Sequence, residues 1–273
     1  MTAAETGLRG AAGRYRQARR VCAHLAGSAP QGAVLSGGRV RFGADPADVA
    51  RSAAGLPADT PLVPFDVRTE ITPVQDGAGT LLLHIDRLYY ATRSAVAADP
   101  RSVESALALP ARPSADELAA EEPARPGVSL RRFASYGVVT DPAGNILLSK
   151  IAPGFPGAGS WHLPGGGVDH GEEARAALRR ELFEETGQHG RVGDLIAIAH
   201  HHRGGLIGPE NAATEVYAVW VFFHAHVARP CPLEVTEVGG STIACSWFTP
   251  EDLAHIRLSS TARRGLAALV ASA

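Results

Sequence analysis

Glu181, Glu184 and Glu185 are three carboxylates within a few residues of each other, and Glu172 and Arg180 lie upstream in the same charged run. On an α-helix, residues three and four apart are neighbours, so Glu181 stands beside both Glu184 and Glu185. Like charges at those spacings destabilise a helix by roughly a few tenths of a kcal/mol each, and such a cluster becomes favourable when it shares a cation. An all-oxygen ligand set selects a hard ion, Mg²⁺ or Mn²⁺, with water filling the remaining octahedral positions. Arg180, one turn before Glu184, is placed to pair with that carboxylate and orient it. The glycines 165–167 let the backbone approach a metal or phosphate closely, and a carbonyl there is a candidate further ligand.

The elements that must position these groups can be read around them. Residues 172–186 carry a helix signal that Gly187 ends, with Ala174, Ala177, Leu178 and Leu182 as the face that packs on a sheet. Strands are expected at 133–139 and 146–150, joined by a turn at Asp141–Asn145, and the Pro/Gly-rich stretch 153–159 reads as a surface loop. Downstream, 195–201, 215–227 and 243–248 read as strands. The second of these is apolar on both faces and is expected in the middle of a sheet covered on both sides. Thr249 and Pro250 open a short turn of helix, and residues 260–271 form a last amphipathic helix.

Taken alone, a helix of this composition reads as a solvated charged face. Its surroundings change that. Gly166, Glu172, Arg180, Glu181, Leu182, Glu184, Glu185 and Gly187 match the pattern G-x5-E-x7-R-E-U-x-E-E-x-G-U, where U is a bulky apolar residue. Residues 128–273 are therefore identified as resembling the Nudix hydrolase family, and Trp161-His162-Leu163-Pro164-Gly165-Gly166 resembles that family's entry strand. One position departs, Gln188 standing where the pattern has an apolar residue. The resemblance implies an α/β/α sandwich with a mixed sheet, and hydrolysis of a diphosphate linkage in a nucleoside diphosphate or triphosphate derivative. It implies further that Glu181, Glu184, Glu185 and the Gly165 carbonyl hold Mg²⁺ or Mn²⁺, with Glu172 supporting through Arg180. The ion would neutralise the diphosphate and lower the pKa of the attacking water. For the general base, the first candidate is Glu181 and the second is Glu237, in the loop before the Trp247 strand. Lys150, at a strand end, is as much a candidate for substrate phosphate as an ordinary surface charge.

The first third of the chain is less explicit. Residues 8–26 are rich in Ala, Arg and Leu and read as a basic helix, followed by strands at 34–42, 62–67 and 81–91. This makes residues 1–94 a smaller α/β domain. Residues 95–127, rich in Ala, Pro, Asp and Glu, read as a linker with one or two short helices. Within the small domain, Leu35–Ala50 resembles Leu163–Ala177, with Gly38, Val40 and Gly43 in the places of Gly166, Val168 and Gly171. Ala44 falls where Glu172 stands, the metal carboxylates have no counterpart, and Leu81–Ala91 has the register of Glu215–Ala225. Two readings stay open, a degenerate Nudix-like domain and an unrelated small α/β domain. The former would serve as a packing partner, a homodimer surface or a lid.

Bulk properties narrow the class of function. The 273 residues fit two domains, and 45% hydrophobic with 20% charged residues is a globular balance. With 26 basic and 28 acidic residues, a net charge of −2 gives no broad footprint for a nucleic acid polymer. No apolar run approaches the roughly 18 residues of a membrane span, and the polar Met1–Gly7 lacks a secretory core, so a cytoplasmic protein is expected. Cys22, Cys231 and Cys245 are too scattered for a zinc site or disulfide framework and read as reduced, mostly buried thiols. His200, His201 and His202 on an extended segment point alternately and cannot share one ion. Phe155 and Trp161 are candidates for base stacking or for packing.

Two other functions fit the resemblance. A non-hydrolytic nucleotide-sensing module has little need of every carboxylate. An isoprenoid diphosphate isomerase needs a placed Cys/Glu pair, which Cys231 and Cys245 do not suggest. For the substrate, neither the SQPWPFPxS-like array of NADH hydrolases nor the LLTxRS-like signature of coenzyme A hydrolases is present, and no Pro stands near Arg203-Gly204 as in ADP-ribose hydrolases.

Overall fold

The computed structural model describes residues 16–29, 32–107, 113–119, 129–203, 215–237 and 239–272. A four-stranded sheet comes first, built from β1 (Arg16–Ala29), β2 (Gly32–Arg39), β3 (Leu62–Asp76) and β4 (Gly79–Thr92), with helix α1 (Pro46–Ala53) between β2 and β3. Its strand order is β2-β1-β4-β3, with β1 parallel to β4 and the other pairs antiparallel.

The first strand corrects the expected basic helix over 8–26; residues 8–15 lie outside the described set, and 16–26 are strand. Ala and Arg favour a helix by only a few tenths of a kcal/mol per residue, which tertiary context overrides. Here β1 hydrogen-bonds to strands on both sides, and it buries Cys22 and Ala26 on one face and Ala23 on the other. Arg19 and Arg20, two of the residues that gave the segment its basic character, turn to Asp86 and to the carbonyls of Glu117 and Ala119.

The segment expected as a linker carries short helices α2 (Arg93–Ala98), α3 (Pro100–Ser105) and α4 (Ala115–Leu118). Val103, Ala106 and Leu107 pack against Tyr89 and Ala91 of β4, so the segment is a strap on the first sheet rather than a free spacer. Residues 120–127 lie outside the described set.

The second sheet matches the expected mixed sheet. Its strands are β5 (Ser129–Thr140), β6 (Ile146–Ile151), β7 (Trp161–His162), β8 (Gly165–Gly167), β9 (Arg191–Arg203), β10 (Glu215–His226) and β11 (Thr242–Phe248). The order is β11-β6-β5-β10-β9, with β7 paired to β6 and β8 to β5. Strand β10 lies parallel to β5 and antiparallel to β9, and it is buried on both faces as its sequence required. Tyr217, Val219, Val221 and Phe223 point to α5 (Ala174–Thr186). Phe222 and Trp220 point to α6 (Ser260–Ser272), giving one helix on each face. The entry strand that the resemblance implied is present in two pieces, Trp161–His162 and Gly165–Gly167, with Ser135 pairing with Gly166.

Helix α5 begins two residues later than its pattern suggests. Glu173 stays extended as the N-cap, while the Glu172 carboxylate is engaged by Arg180 and the Asp169 N–H. Gly187 ends the helix at φ 71°, a left-handed turn that glycine adopts without strain. Ala174, Ala177, Leu178 and Leu182 are all buried, as their spacing predicts. Of the cysteines, which are all free, Cys22 is buried, Cys245 is half-buried and Cys231 is exposed, so the expectation of mostly buried thiols holds only in part.

Candidate active site

Helix α5 presents its acidic face to β8, and Arg180 organises what lies between them. Its guanidinium donates to both oxygens of Glu172 at 3.0 Å, to Glu181 at 2.9 Å, to Glu184 at 3.1 Å and to the Gly167 carbonyl at 3.0 Å. One cation thus ties three carboxylates to the glycine strand. The ion pairs with Glu172 and Glu181 raise the Arg180 pKa further, so its charge is permanent.

Glu185 faces the other way, into the sheet, and is buried. One of its oxygens accepts from Ser149 at 3.0 Å and from the Gly165 N–H at 3.2 Å; the other accepts from Thr242 at 2.7 Å. Burial pushes its pKa up to about 8, and the nearby Glu181 charge adds to this against the lowering effect of the hydrogen bonds. Glu181 is raised as well, first by burial, with Glu184 and Glu237 adding to it and Arg180 opposing. A carboxylate cluster whose members raise one another's pKa is held apart from water yet short of positive charge.

Glycine is required where the strand meets the cluster. A Cβ on Gly166 would stand 2.5 Å from a Glu181 oxygen, and Gly165, at φ 139°, would bring one to 2.2 Å from the Ser135 carbonyl. Gly166→Ala is therefore expected to displace the Glu181 carboxylate by several tenths of an ångström and lower kcat by up to about 100-fold. Steady-state kinetics alongside a melting curve check this, and a variant with full activity would show that the Glu181 position is unimportant.

Glu237 reaches the same place through a loop tied to the end of α5. The N–H groups of Thr236 and Glu237 donate to the Glu184 carbonyl at 2.8 and 3.1 Å. The departure at Gln188 has its reason here. It is fully buried, and its side chain accepts from the Cys231 N–H and donates to the Cys231 and Thr186 carbonyls, pinning the loop that carries Glu237. An apolar residue would leave those loop groups without these bonds.

Glu181 and Glu237 line a cleft of about 750 Å³, within the range that takes a nucleotide-sized ligand. Phe155, Tyr136 and Trp220 supply aromatic surface, and Arg19, Arg131 and Arg132 supply positive charge. His162, also on the wall, is held neutral at pH 7 because burial lowers its pKa to about 4. The sequence singled out Phe155 but missed Tyr136, Trp220 and the arginines. The Arg131-Arg132 pair at the start of β5 was the available signal. Trp161 packs on Phe248 instead, and Lys150 lies over the Trp161 ring, 5.6 Å from its centroid, outside the cleft lining. The histidine run diverges as its alternation requires: His202 pairs with Glu215 at 2.7 Å, while His201 stacks on Trp220.

Among the described residues no three His, Cys, Asp or Glu side chains are already gathered into a cage. Arg180 stands between Glu181 and Glu184, and Glu185 is turned onto Ser149 and Thr242. The donor chemistry nevertheless fits a hard divalent ion, being entirely oxygen, mutually repulsive and set against a strand without side chains.

An acidic helix crossing a glycine strand on an α/β/α sandwich, beside an aromatic and basic cleft, defines a hydrolase of nucleotide-type anhydrides. The sequence matches the family described as NUDIX domain over residues 130–269, and the chain belongs to that family. A nucleoside triphosphatase, NudI, of Escherichia coli O139:H28 is 30% identical over 128 residues, which are 45% of this chain and 86% of the relative. The NudI of Shigella flexneri matches equally. Among solved structures, a MutT Nudix hydrolase from Burkholderia pseudomallei is 28% identical with a TM-score of 0.40, covering 51% of this chain and 98% of its own. The Nudix domain of Shewanella oneidensis NrtR, solved with ADP ribose, is 16% identical with a TM-score of 0.42, covering 52% and 88%.

Proposed function

We propose that this Nudix hydrolase cleaves the diphosphate linkage of a nucleoside triphosphate or a related nucleotide derivative, using Mg²⁺ or Mn²⁺. The observation that carries the reading is the meeting of Glu181 and Glu237 with an open glycine strand at one nucleotide-sized cleft, with Glu184 and Glu185 beside Glu181 on the same helix and Glu185 bonded to the Gly165 N–H of that strand. The name nucleoside triphosphatase borne by the Escherichia coli relatives supports triphosphates as the first substrates to try.

In this reading Glu181, Glu184 and Glu185, with the Gly165 carbonyl, hold the ion. When bound, it supplies neutralisation of the diphosphate and acidification of water. The chain's own part is positional. Arg180 fixes Glu181 and Glu184 through shared hydrogen bonds, and Ser149, Thr242 and the Gly165 N–H fix Glu185. Tyr136, Trp220 and Phe155 offer faces for a base, and the arginines at the cleft oppose the phosphate charge. Proton acceptance from water falls to Glu181 first, on the helix and lining the cleft, and to Glu237 second.

Purified protein with Mg²⁺ is to be incubated with dNTPs, ADP-ribose, dinucleoside polyphosphates and nucleotide sugars, with release of phosphate or diphosphate recorded. At least one class should turn over, EDTA should abolish turnover, and Mg²⁺ or Mn²⁺ should restore it. Binding of a nucleotide without turnover under every metal would sink hydrolysis and favour a sensing role. Turnover that survives EDTA would sink the metal assignment.

A further inference from the structure

The two sheets share more than a strand count. In the first, β1 lies parallel to β4 and antiparallel to β2, with β3 on the far side of β4; in the second, β5 lies parallel to β10 and antiparallel to β8, with β9 beyond β10. The register agrees residue by residue. Ala23 is opposite Gly38 and Leu88, as Ser135 is opposite Gly166 and Val221. The Val40 N–H donates to the Val21 carbonyl just as that of Val168 donates to Phe133, and α1 follows the first pair as α5 follows the second. Arg19, Phe42 and His84 thereby correspond to Arg131, His170 and Tyr217.

These counterparts meet across the two halves reciprocally. Arg19 donates to the Val168 carbonyl while Arg131 donates to the Val40 carbonyl at 3.4 Å; each guanidinium also lies over an aromatic ring, Phe133 and Phe42, although those two rings do not correspond. His84 meets His170 with ring centroids 5.3 Å apart, and Tyr217 meets Phe42 at 5.4 Å. Contacts in which each side gives the other what it receives are the mark of a twofold dimer interface.

The correspondence also shows what became of the other cleft. Arg132, Tyr136, Gly167 and Trp220 line the cleft beside Glu181, and their counterparts are Arg20, His24, Arg39 and Arg87. Those residues gather around the strap. Arg87 pairs with the Glu117 carboxylate and contacts His24, and Arg20 and Arg39 donate to the Ala119 carbonyl at 3.1 and 2.7 Å. The strap fills the place that corresponds to the cleft in the other half.

We propose that residues 16–92 are a metal-free second copy of the fold, joined to the catalytic copy as a built-in dimer partner, and that this copy lends Arg19 to the catalytic cleft to position an anionic group of the substrate. Arg19 lines that cleft although it comes from the other half. Its Nε is fixed by the fully buried Asp86 at 2.7 Å, which also takes His84 at 3.0 Å. Its Nη2 is enclosed and has no hydrogen-bond partner among the described residues. The side chain as a whole is 25% exposed at the cleft wall, so a small turn of the guanidinium offers this nitrogen to an anionic group in the cleft.

This inference rests on the proposed nucleotide site, and binding separates its failure from that of hydrolysis. Wild type, Arg19→Gln, Arg19→Lys and Phe42→Ala are to be titrated calorimetrically with Mg²⁺ and the α,β-methylene analogue of ATP, and assayed with the nucleotide turned over best. Phe42 makes the same kind of contact between halves from outside the cleft lining and touches the cleft only through Arg131, so its loss reports on loosening together with whatever the Arg131 stack contributes. Arg19→Gln is expected to weaken binding and raise KM by about tenfold or more with kcat little changed. Arg19→Lys should recover part of this, Phe42→Ala should lower the melting temperature with a clearly smaller rise in KM than Arg19→Gln, and wild type should bind one analogue per chain. The proposal is overturned if Arg19→Gln binds like wild type, if Phe42→Ala raises KM as much, if two analogues bind per chain, or if wild type binds none. An active-site failure instead appears as wild-type binding without turnover, with the Arg19 effect on binding still measurable.

Discussion

Glu184→Gln is expected to lower kcat by about 100-fold or more while the melting temperature stays close to that of the parent. The side chain is 35% exposed and its carboxylate bonds Arg180, which keeps Glu172 and Glu181 as partners after the change. Glutamine preserves the shape and one acceptor but removes the charge that a divalent ion needs. The loss should therefore appear in turnover and in metal affinity, and isothermal titration with Mn²⁺ separates the two. Glu185→Gln should act as strongly. Its buried carboxylate accepts from three donors, and an amide can satisfy only part of that set, so some stability is lost as well. Turnover unchanged in the Glu184→Gln, Glu185→Gln double variant would remove the basis for placing metal on this helix.

The largest effect on stability should come from Arg87→Met. Arg87 is fully buried on β4, pairs with Glu117 of the strap, and donates to Glu70 of β3 at 2.7 and 2.9 Å. Methionine keeps much of the volume and leaves two carboxylates without their cation. Breaking such a pair from one side costs about 3–5 kcal/mol. Urea unfolding should show a midpoint shift of that size. The Arg87→Met, Glu117→Gln double variant should recover part of it, because the penalty is that of the orphaned charge. A loss below about 1 kcal/mol would show the strap to be held by its apolar contacts and the Arg20 and Arg39 hydrogen bonds, with the Arg87 ion pairs contributing little.

Much of the catalytic half was legible in the chain itself, because its signals are local. The period of Ala174, Ala177, Leu178 and Leu182, the stop at Gly187, and the spacing of Glu181, Glu184 and Glu185 belong to one helix, and the two-sided apolarity of 215–227 belongs to one strand. Spacing along a helix fixes which side chains are neighbours before any tertiary contact forms. The family and the nature of the hydrolase follow from those residues.

Tertiary structure decided the rest, since the partners involved are far apart in sequence. Residues 16–26 have helical propensity and became a central strand, because pairing with β2 and β4 and burial on both faces outweigh a few tenths of a kcal/mol per residue. The strap read as a linker with one or two short helices, since neither its buried Leu107 nor its Glu117 shows, from within 95–127, that Tyr89 and Arg87 await them. Lys150, a candidate by its place at a strand end, lies over Trp161, while Arg19, read as part of a basic helix, reaches the cleft. Which cations face a cleft depends on which strands lie side by side, and that is a property of the folded sheet rather than of any segment in it.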